Sequence, residues 1–271
     1  MANPKTHQRS TAKANSVDPI WARVREDAEQ ALMREPSLGT FLHTCVIAQS
    51  TLEQAVAHRI AERLDHPDVP ADIIRHAFDE LAGSDADFAR AIRADLQAVF
   101  DRDPACRRYM EPLLYFKGFH AIQTHRLAHW LHKQGRIDFA LYLQSRSSVV
   151  FQTDINPAAP FGVGIFLDHA TGLVVGETAS VGDSVSILHS VTLGGTGKEG
   201  SDRHPKIGDG VLIGAGAKIL GNIRIGDCSK VAAGSVVLDH VPGCKTVAGV
   251  PAKIVGEAGC DEPSRMMNQL L

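Results

Sequence analysis

The chain has 271 residues, enough for one large or two ordinary domains, and a hydrophobic content of 44% supports a real core. A formal charge of −3 gives no bulk electrostatic basis for binding nucleic acid; no apolar stretch reaches the roughly 18–20 residues that span a bilayer, and the polar N-terminus lacks the apolar segment of a secretory signal. Five cysteines (Cys45, Cys106, Cys228, Cys244 and Cys260) form no CxxC pair, which fits reduced thiols in a cytoplasmic protein.

Residues 1–16 are polar and read as a disordered tail. Residues 17–148 read as an all-α domain. Asp18-Pro19 supplies an N-cap followed by proline, and Ile20, Val24, Ala28, Ala31 and Leu32 follow at helical spacing. Further helices are predicted from Thr51 to Leu64, Pro70 to Leu81, Ser84 to Phe100, Pro112 to Gln134 with Gly135 after it, and Ile137 to Ser147. Nearly all aromatic residues precede residue 167, where helix packing uses them well.

From about 149 to 255 a six-residue period takes over. Every sixth position reads Val163, His169, Val175, Val181, Ile187, Leu193, and then Ile207, Ile213, Ile219, Ile225, Val231, Val237. Such hexads fit a parallel β-helix, in which each hexad makes a short strand and a corner with an aliphatic side chain turned inward. His169 breaks the aliphatic series, which makes it a candidate for chemistry. The fourteen positions from Leu193 to Ile207 are not a multiple of six, so residues 194–205 must leave the coil as a polar, glycine-rich loop. Residues 256–271 read as a flexible tail.

Asp154 and His169 are fifteen residues apart, close to one coil, so the two could meet as a general-base dyad in which the carboxylate fixes the imidazole tautomer. A surface histidine with a casual acidic neighbour is the alternative. Asp168 should leave the coil opposite to His169. With Arg203 and His204 of the loop it could form an amino-acid pocket, Arg for a carboxylate and Asp for an ammonium, or simply be solvated. Gly194-Gly195-Thr196-Gly197-Lys198 fails the phosphate-loop pattern, because Thr192 stands where glycine is needed and Glu199 follows the lysine. Its exposed amides could instead serve a ligand carbonyl or oxyanion. His125 and His129 share a helical face as zinc ligands can, but Arg126 rather than Glu follows His125, and packing or capping is the better account.

Several stretches carry a resemblance to a known family: Arg102-Asp103-Pro104-Ala105, Pro112 to Ala121, Asp154-Ile155-Asn156-Pro157, Asp168-His169-Ala170-Thr171-Gly172, Thr192 to Lys198, Asp202-Arg203-His204-Pro205 and Gly249-Val250-Pro251-Ala252. Over residues 18–256 the sequence resembles serine O-acetyltransferase, a hexapeptide-repeat acyltransferase. The resemblance implies an α+β architecture, with an N-terminal helical domain followed by a left-handed parallel β-helix. It implies acetyl transfer from acetyl-CoA to L-serine, the committed step of cysteine synthesis, with His169 as base and Asp154 as its orienting partner. Asp103, Asp168, Arg203 and His204 would hold serine, or L-cysteine as inhibitor. Gly195, Thr196, Ala215, Ala233 and Lys253 are the expected CoA contacts, with no metal and no bound cofactor. The family implies a homo-oligomer built as a dimer of trimers. Many members also insert a C-terminal isoleucine into cysteine synthase, whereas this chain ends in Leu270-Leu271. His189 stands where the family leads one to expect glutamine, and no role follows for it. The rivals are another hexapeptide acyltransferase acting on a sugar, a zinc-dependent γ-type carbonic anhydrase, and a β-helix used only for assembly. The long helical domain, the missing His-x4-His pair and the interrupted repeat speak against them in turn.

Overall fold

A computed structural model describes residues 18–197, 200–259 and 262–270; the tail expected at 1–16 lies outside them. Helix α1 (Pro19–Arg34) begins where Asp18 accepts hydrogen bonds from the amides of Ile20 (3.1 Å) and Trp21 (3.3 Å). Two turns of helix follow that sequence periodicity does not reveal, α2 (Gly39–Leu42) and a wider turn His43–Ile47. Thr51 caps α3 (Leu52–Leu64), and α4 spans Ala71–Ser84. Asp85, one residue later than expected, caps α5 (Ala86–Arg102).

The long helix expected at 112–134 is two helices, α6 (Met110–Tyr115) and α7 (Lys117–Lys133), because Phe116 is extended (φ −87°, ψ 110°). This break brings the start of α7 against the β-helix. A Cβ on Gly118 would lie 1.9 Å from the Leu167 carbonyl oxygen, so only glycine allows the approach. Helix α8 (Ile137–Phe151) ends in left-handed Gln152 and runs straight into the first strand.

The helical domain is tied to that first coil by buried polar groups. Asp95 is fully buried and receives hydrogen bonds from Gln123 Nε2 (2.7 Å), Arg126 Nε (2.8 Å) and the Ile165 amide (2.9 Å). His125 Nε2 lies 3.0 Å from the Ala159 carbonyl and His129 Nδ1 2.7 Å from that of Pro157; since a carbonyl only accepts, each imidazole donates. These histidines therefore pack and tie, as their sequence context suggested.

Among the described residues the β-helix winds through five coils. The first has β1 (Thr153–Ile155), a bridge at Phe161 and β2 (Phe166–Leu167); the second β3 (Leu173–Val175), β4 (Ser180–Val181) and β5 (Ser186–Ile187). The third has β6 (Thr192–Gly194), β7 (Lys206–Ile207) and β8 (Leu212–Ile213); the fourth β9 (Lys218–Leu220), β10 (Arg224–Ile225) and β11 (Lys230–Val231). The fifth has β12 (Val236–Val237), a bridge at Val241 and β13 (Lys245–Gly249), and β14 (Ala252–Glu257) folds back antiparallel on β13 to close the end. Strands stack in register into three faces. Face I is β1-β3-β6-β9-β12, face II is β4-β7-β10, and face III is β2-β5-β8-β11-β13 before the closing strand.

Register corrects the reading of the repeat. From Val175 to Val237 the expected hexad residues do face inward, but the first coil is filled by Ile155, Phe161 and Leu167 rather than Val163 and His169. Leu167 pairs with Ile187, twenty positions on, whereas Val175 pairs with Leu193, eighteen on. Two extra residues therefore lie between Leu167 and Val175, where His169 (φ 56°) and Ala170 (φ 57°) are both left-handed. His169 does not replace an inward aliphatic. It stands on a two-residue insertion that carries the corner outward. The second insertion is the expected loop: Leu193 pairs with Ile219, twenty-six positions on and eight more than Val175 to Leu193.

The end of the chain also differs from expectation. Gly256 and Glu257 belong to β14, and α9 (Pro263–Met266) lies on the coils, with Ser186 Oγ donating to the Ser264 carbonyl (2.8 Å) and Lys230 Nζ to that of Leu270. The segment docks because Met267 and the buried Pro263 and Ser264 find partners on the β-helix wall.

Candidate active site

Asp168 and His169 lie at the corner from face III to face I. The left-handed turn at His169 brings the two side chains together rather than to opposite faces, with Asp168 Oδ1 3.7 Å from His169 Nε2. The His169 side chain is 74% exposed and that of Asp168 23%. They line a pocket of about 310 Å3 whose other wall is helical: Asp103 at the end of α5, and Tyr115, Phe116 and Lys117 at the α6–α7 break. Burial, reinforced by Asp103, holds the Asp168 carboxyl above its ordinary range, against the opposing pull of His169 and His189. Two acids beside an exposed imidazole make this pocket fit for a cation next to a group that gives up a proton. Lys117 Nζ donates to Gln152 Oε1 (3.1 Å) and Thr171 Oγ1, pinning α7 to this corner.

Along the same corner, successive coils place Thr171, His189, Ala215 and Ala233, linked by amide-to-carbonyl bonds from Ser190 to Thr171 (2.7 Å), Gly216 to His189 (2.9 Å) and Gly234 to Ala215 (2.8 Å). His189 presents its ring 6.0 Å from that of His169, nearly edge-on at 71°. Lys253 is paired with Ala248 on the closing strand at the end of this track. Three of the five expected CoA contacts thus fall on one edge with His169. Gly195 and Thr196 belong to the loop instead.

Arg203 and His204 lie at a different corner, from face I to face II. Thr178 organises them. Its hydroxyl accepts from the amides of Arg203 (3.0 Å) and His204 (3.1 Å), and its amide donates to His204 Nδ1 (3.2 Å). Nδ1, which also lies 2.8 Å from the Thr178 hydroxyl, accepts that amide's hydrogen bond as an unprotonated nitrogen, and burial, with Arg203 and Lys206 nearby, lowers the His204 pKa, which favours the neutral ring. Arg203 Nη2 pairs with Glu177 Oε2 at 2.7 Å. Sequence reasoning missed Thr178 and Glu177, although they face the loop one coil away and periodicity could have found them.

The structure thus splits the expected set. Asp103, Asp168 and His169 share one pocket, while Arg203 and His204 occupy another edge of the triangle. Asp154, outward on β1, accepts from Gln144 Nε2 at 2.7 Å, and among the described residues no hydrogen bond joins it to His169.

Known proteins with this architecture decide the family. A model described as "Serine acetyltransferase, N-terminal" matches residues 20–124, and one for bacterial transferase hexapeptide repeats matches 204–239. A serine acetyltransferase of Escherichia coli K12 is 51% identical over 253 residues, 93% of each chain. The chain belongs to the serine acetyltransferase family. Among solved members, that of Brucella abortus in complex with coenzyme A is 67% identical with a TM-score of 0.89, covering 90% of this chain and 98% of that one. A serine acetyltransferase in complex with cysteine is 48% identical with a TM-score of 0.91, covering 93% and 98%. The β-helix is accordingly the left-handed one of hexapeptide-repeat serine acetyltransferases.

Proposed function

We propose that this chain transfers the acetyl group of acetyl-CoA to the hydroxyl of L-serine, giving O-acetyl-L-serine and CoA, as a cytoplasmic enzyme in the first step of cysteine biosynthesis. The observation that carries the reading is an exposed imidazole, His169, raised on an insertion beside the acidic pair Asp103 and Asp168 in a serine acetyltransferase chain. The substrate ammonium sits between the two carboxylates. His169 takes the hydroxyl proton as the serine oxygen attacks the thioester carbonyl. The tetrahedral oxyanion then collapses, the carbon–sulfur bond breaks, and the departing thiolate recovers the proton from the imidazolium. Asp154 is the proposed orienting carboxylate; in that role it exchanges its Gln144 hydrogen bond for one to the imidazole.

The substrate carboxylate needs Arg203 and His204, which this chain holds at another corner. A second copy supplies them, so that a trimer builds its sites between neighbouring β-helices and two trimers join through the helical domains. CoA lies along the track of Ala215, Ala233 and Lys253, with Gly195 and Thr196 contributed by the loop. L-cysteine, having the same ammonium and carboxylate, competes for the serine pocket. The C-terminal segment is the surface proposed for docking to cysteine synthase, and Leu271 lies outside the described residues.

Thiol release from acetyl-CoA tests the reading. It should depend on L-serine, fail with a panel of sugars, and fall on addition of L-cysteine. Serine-independent release, or none at all, would remove the assignment.

A further inference from the structure

Arg102 immediately precedes Asp103 at the end of α5, and its side chain is buried against the β-helix. Nη1 donates to Ser186 Oγ at 3.1 Å, and that hydroxyl in turn donates a hydrogen bond to the Ser264 carbonyl at 2.8 Å. Ser186 lies on β5. The next residue of that strand, Ile187, accepts the backbone amide of Asp168 at 2.9 Å, and β5 pairs with β2 through Phe166↔Ser186 and Leu167↔Ile187. Two ties therefore reach one two-residue strand, from the helix end that carries Asp103 and from the strand end that carries Asp168.

A buried guanidinium is a poor device for stability, since apolar groups of similar volume often replace buried charges without loss. It is a good device for fixing a distance, because its planar fork orients the bonds it makes. Burial, with repulsion from Arg265, lowers Arg102 to about 10, so the group bears a cost that packing alone does not explain.

We propose that Arg102 is a positioning residue: its bond to Ser186 sets the separation of Asp103 and Asp168, and with it the fit of the substrate ammonium. The proposal rests on the serine-binding reading of that pocket. It makes a prediction that a purely structural role does not, since the ammonium belongs to serine and to cysteine but acetyl-CoA binds elsewhere.

The test compares Arg102→Met, which keeps the volume, with Ser186→Ala, which leaves the guanidinium in place, removes its acceptor together with the bond to Ser264, and keeps the measurement available if the first variant folds poorly. The KM for L-serine and the inhibition constant of L-cysteine should both rise about tenfold, the value of one well-placed interaction. The KM for acetyl-CoA and kcat should stay within about twofold, and Arg102→Lys should recover part of the loss. The proposal is overturned if Ser186→Ala binds serine and cysteine as the unaltered protein does, or if the KM values of both substrates rise together with a lowered Tm. Absence of serine-dependent thiol release from the unaltered protein would overturn the functional reading itself, which is a separate result.

Discussion

Two corners of the β-helix carry insertions into its repeat, and they differ. At the corner from face III to face I the insertion is two residues long and lifts one imidazole into solvent. At the corner from face I to face II it is eight residues long, and its end is tied to the preceding coil, with Thr178 and Glu177 holding Arg203 and His204. The short insertion exposes a group able to move a proton. The long one fixes a cation and a neutral donor ring in place. A rigid repeat supplies the same wall everywhere, so the proposed chemistry collects where residues are inserted into a coil.

The difference predicts which changes act on rate and which on binding. The largest effect is expected from His169→Ala. Its side chain supports nothing in the wall, so Tm and CoA affinity should hold while kcat falls by about 10²–10⁴-fold, the range for loss of a general base. A variant with near-normal turnover would move the base elsewhere. Next in size, Thr178→Val removes the hydroxyl that receives two loop amides. The KM for L-serine should rise about tenfold with a smaller change in kcat, as expected when ground-state and transition-state binding are lost together. An unchanged KM would mean that Arg203 and His204 are held by the loop itself.

The smallest effect concerns stability, and it comes from histidines used in the opposite way. Burial drives His120 and His125 down to about 3, so both are neutral in the folded chain. Their folded pKa lies below the unfolded value near 6.5, so as pH falls through that value the unfolded chain takes up protons that the folded one refuses. Stability should therefore decline from about pH 6.5 toward pH 3, by at most about 1.4 kcal/mol per pH unit for each group. Urea midpoints at pH 7.5 and 5.5 measure this, and a phenylalanine at position 125 should flatten the slope. Equal midpoints for the unaltered protein would contradict the assignment of these rings as neutral ties.

Much of this was legible in the sequence. The hexads from Val175 onward carry their inward residues where the period puts them, because aliphatic side chains of similar size stack identically in each coil. The first coil escapes the period because Phe161 and Leu167 fill it while the count of six, carried back from Val175, lands on His169. His169 stands out from the period as an insertion, not as a substitution for an inward aliphatic residue. The break at Phe116 was hidden because propensity runs unbroken through 112–134, and only the fit of Gly118 against Leu167 demands the turn. Placing Arg203 and His204 on a different corner from His169 needed the count of residues per coil, which motif matching does not give.

Whether those corners act together across two copies is the central claim, and mixed assemblies test it most directly. His169→Ala and Arg203→Ala chains should each be nearly inactive alone. Co-expressed, they should recover activity, because by random mixing roughly a quarter of the junctions join an intact His169 corner to an intact Arg203 corner. A mixture no more active than either variant alone would contradict the account, and would place both corners of a working site within a single chain.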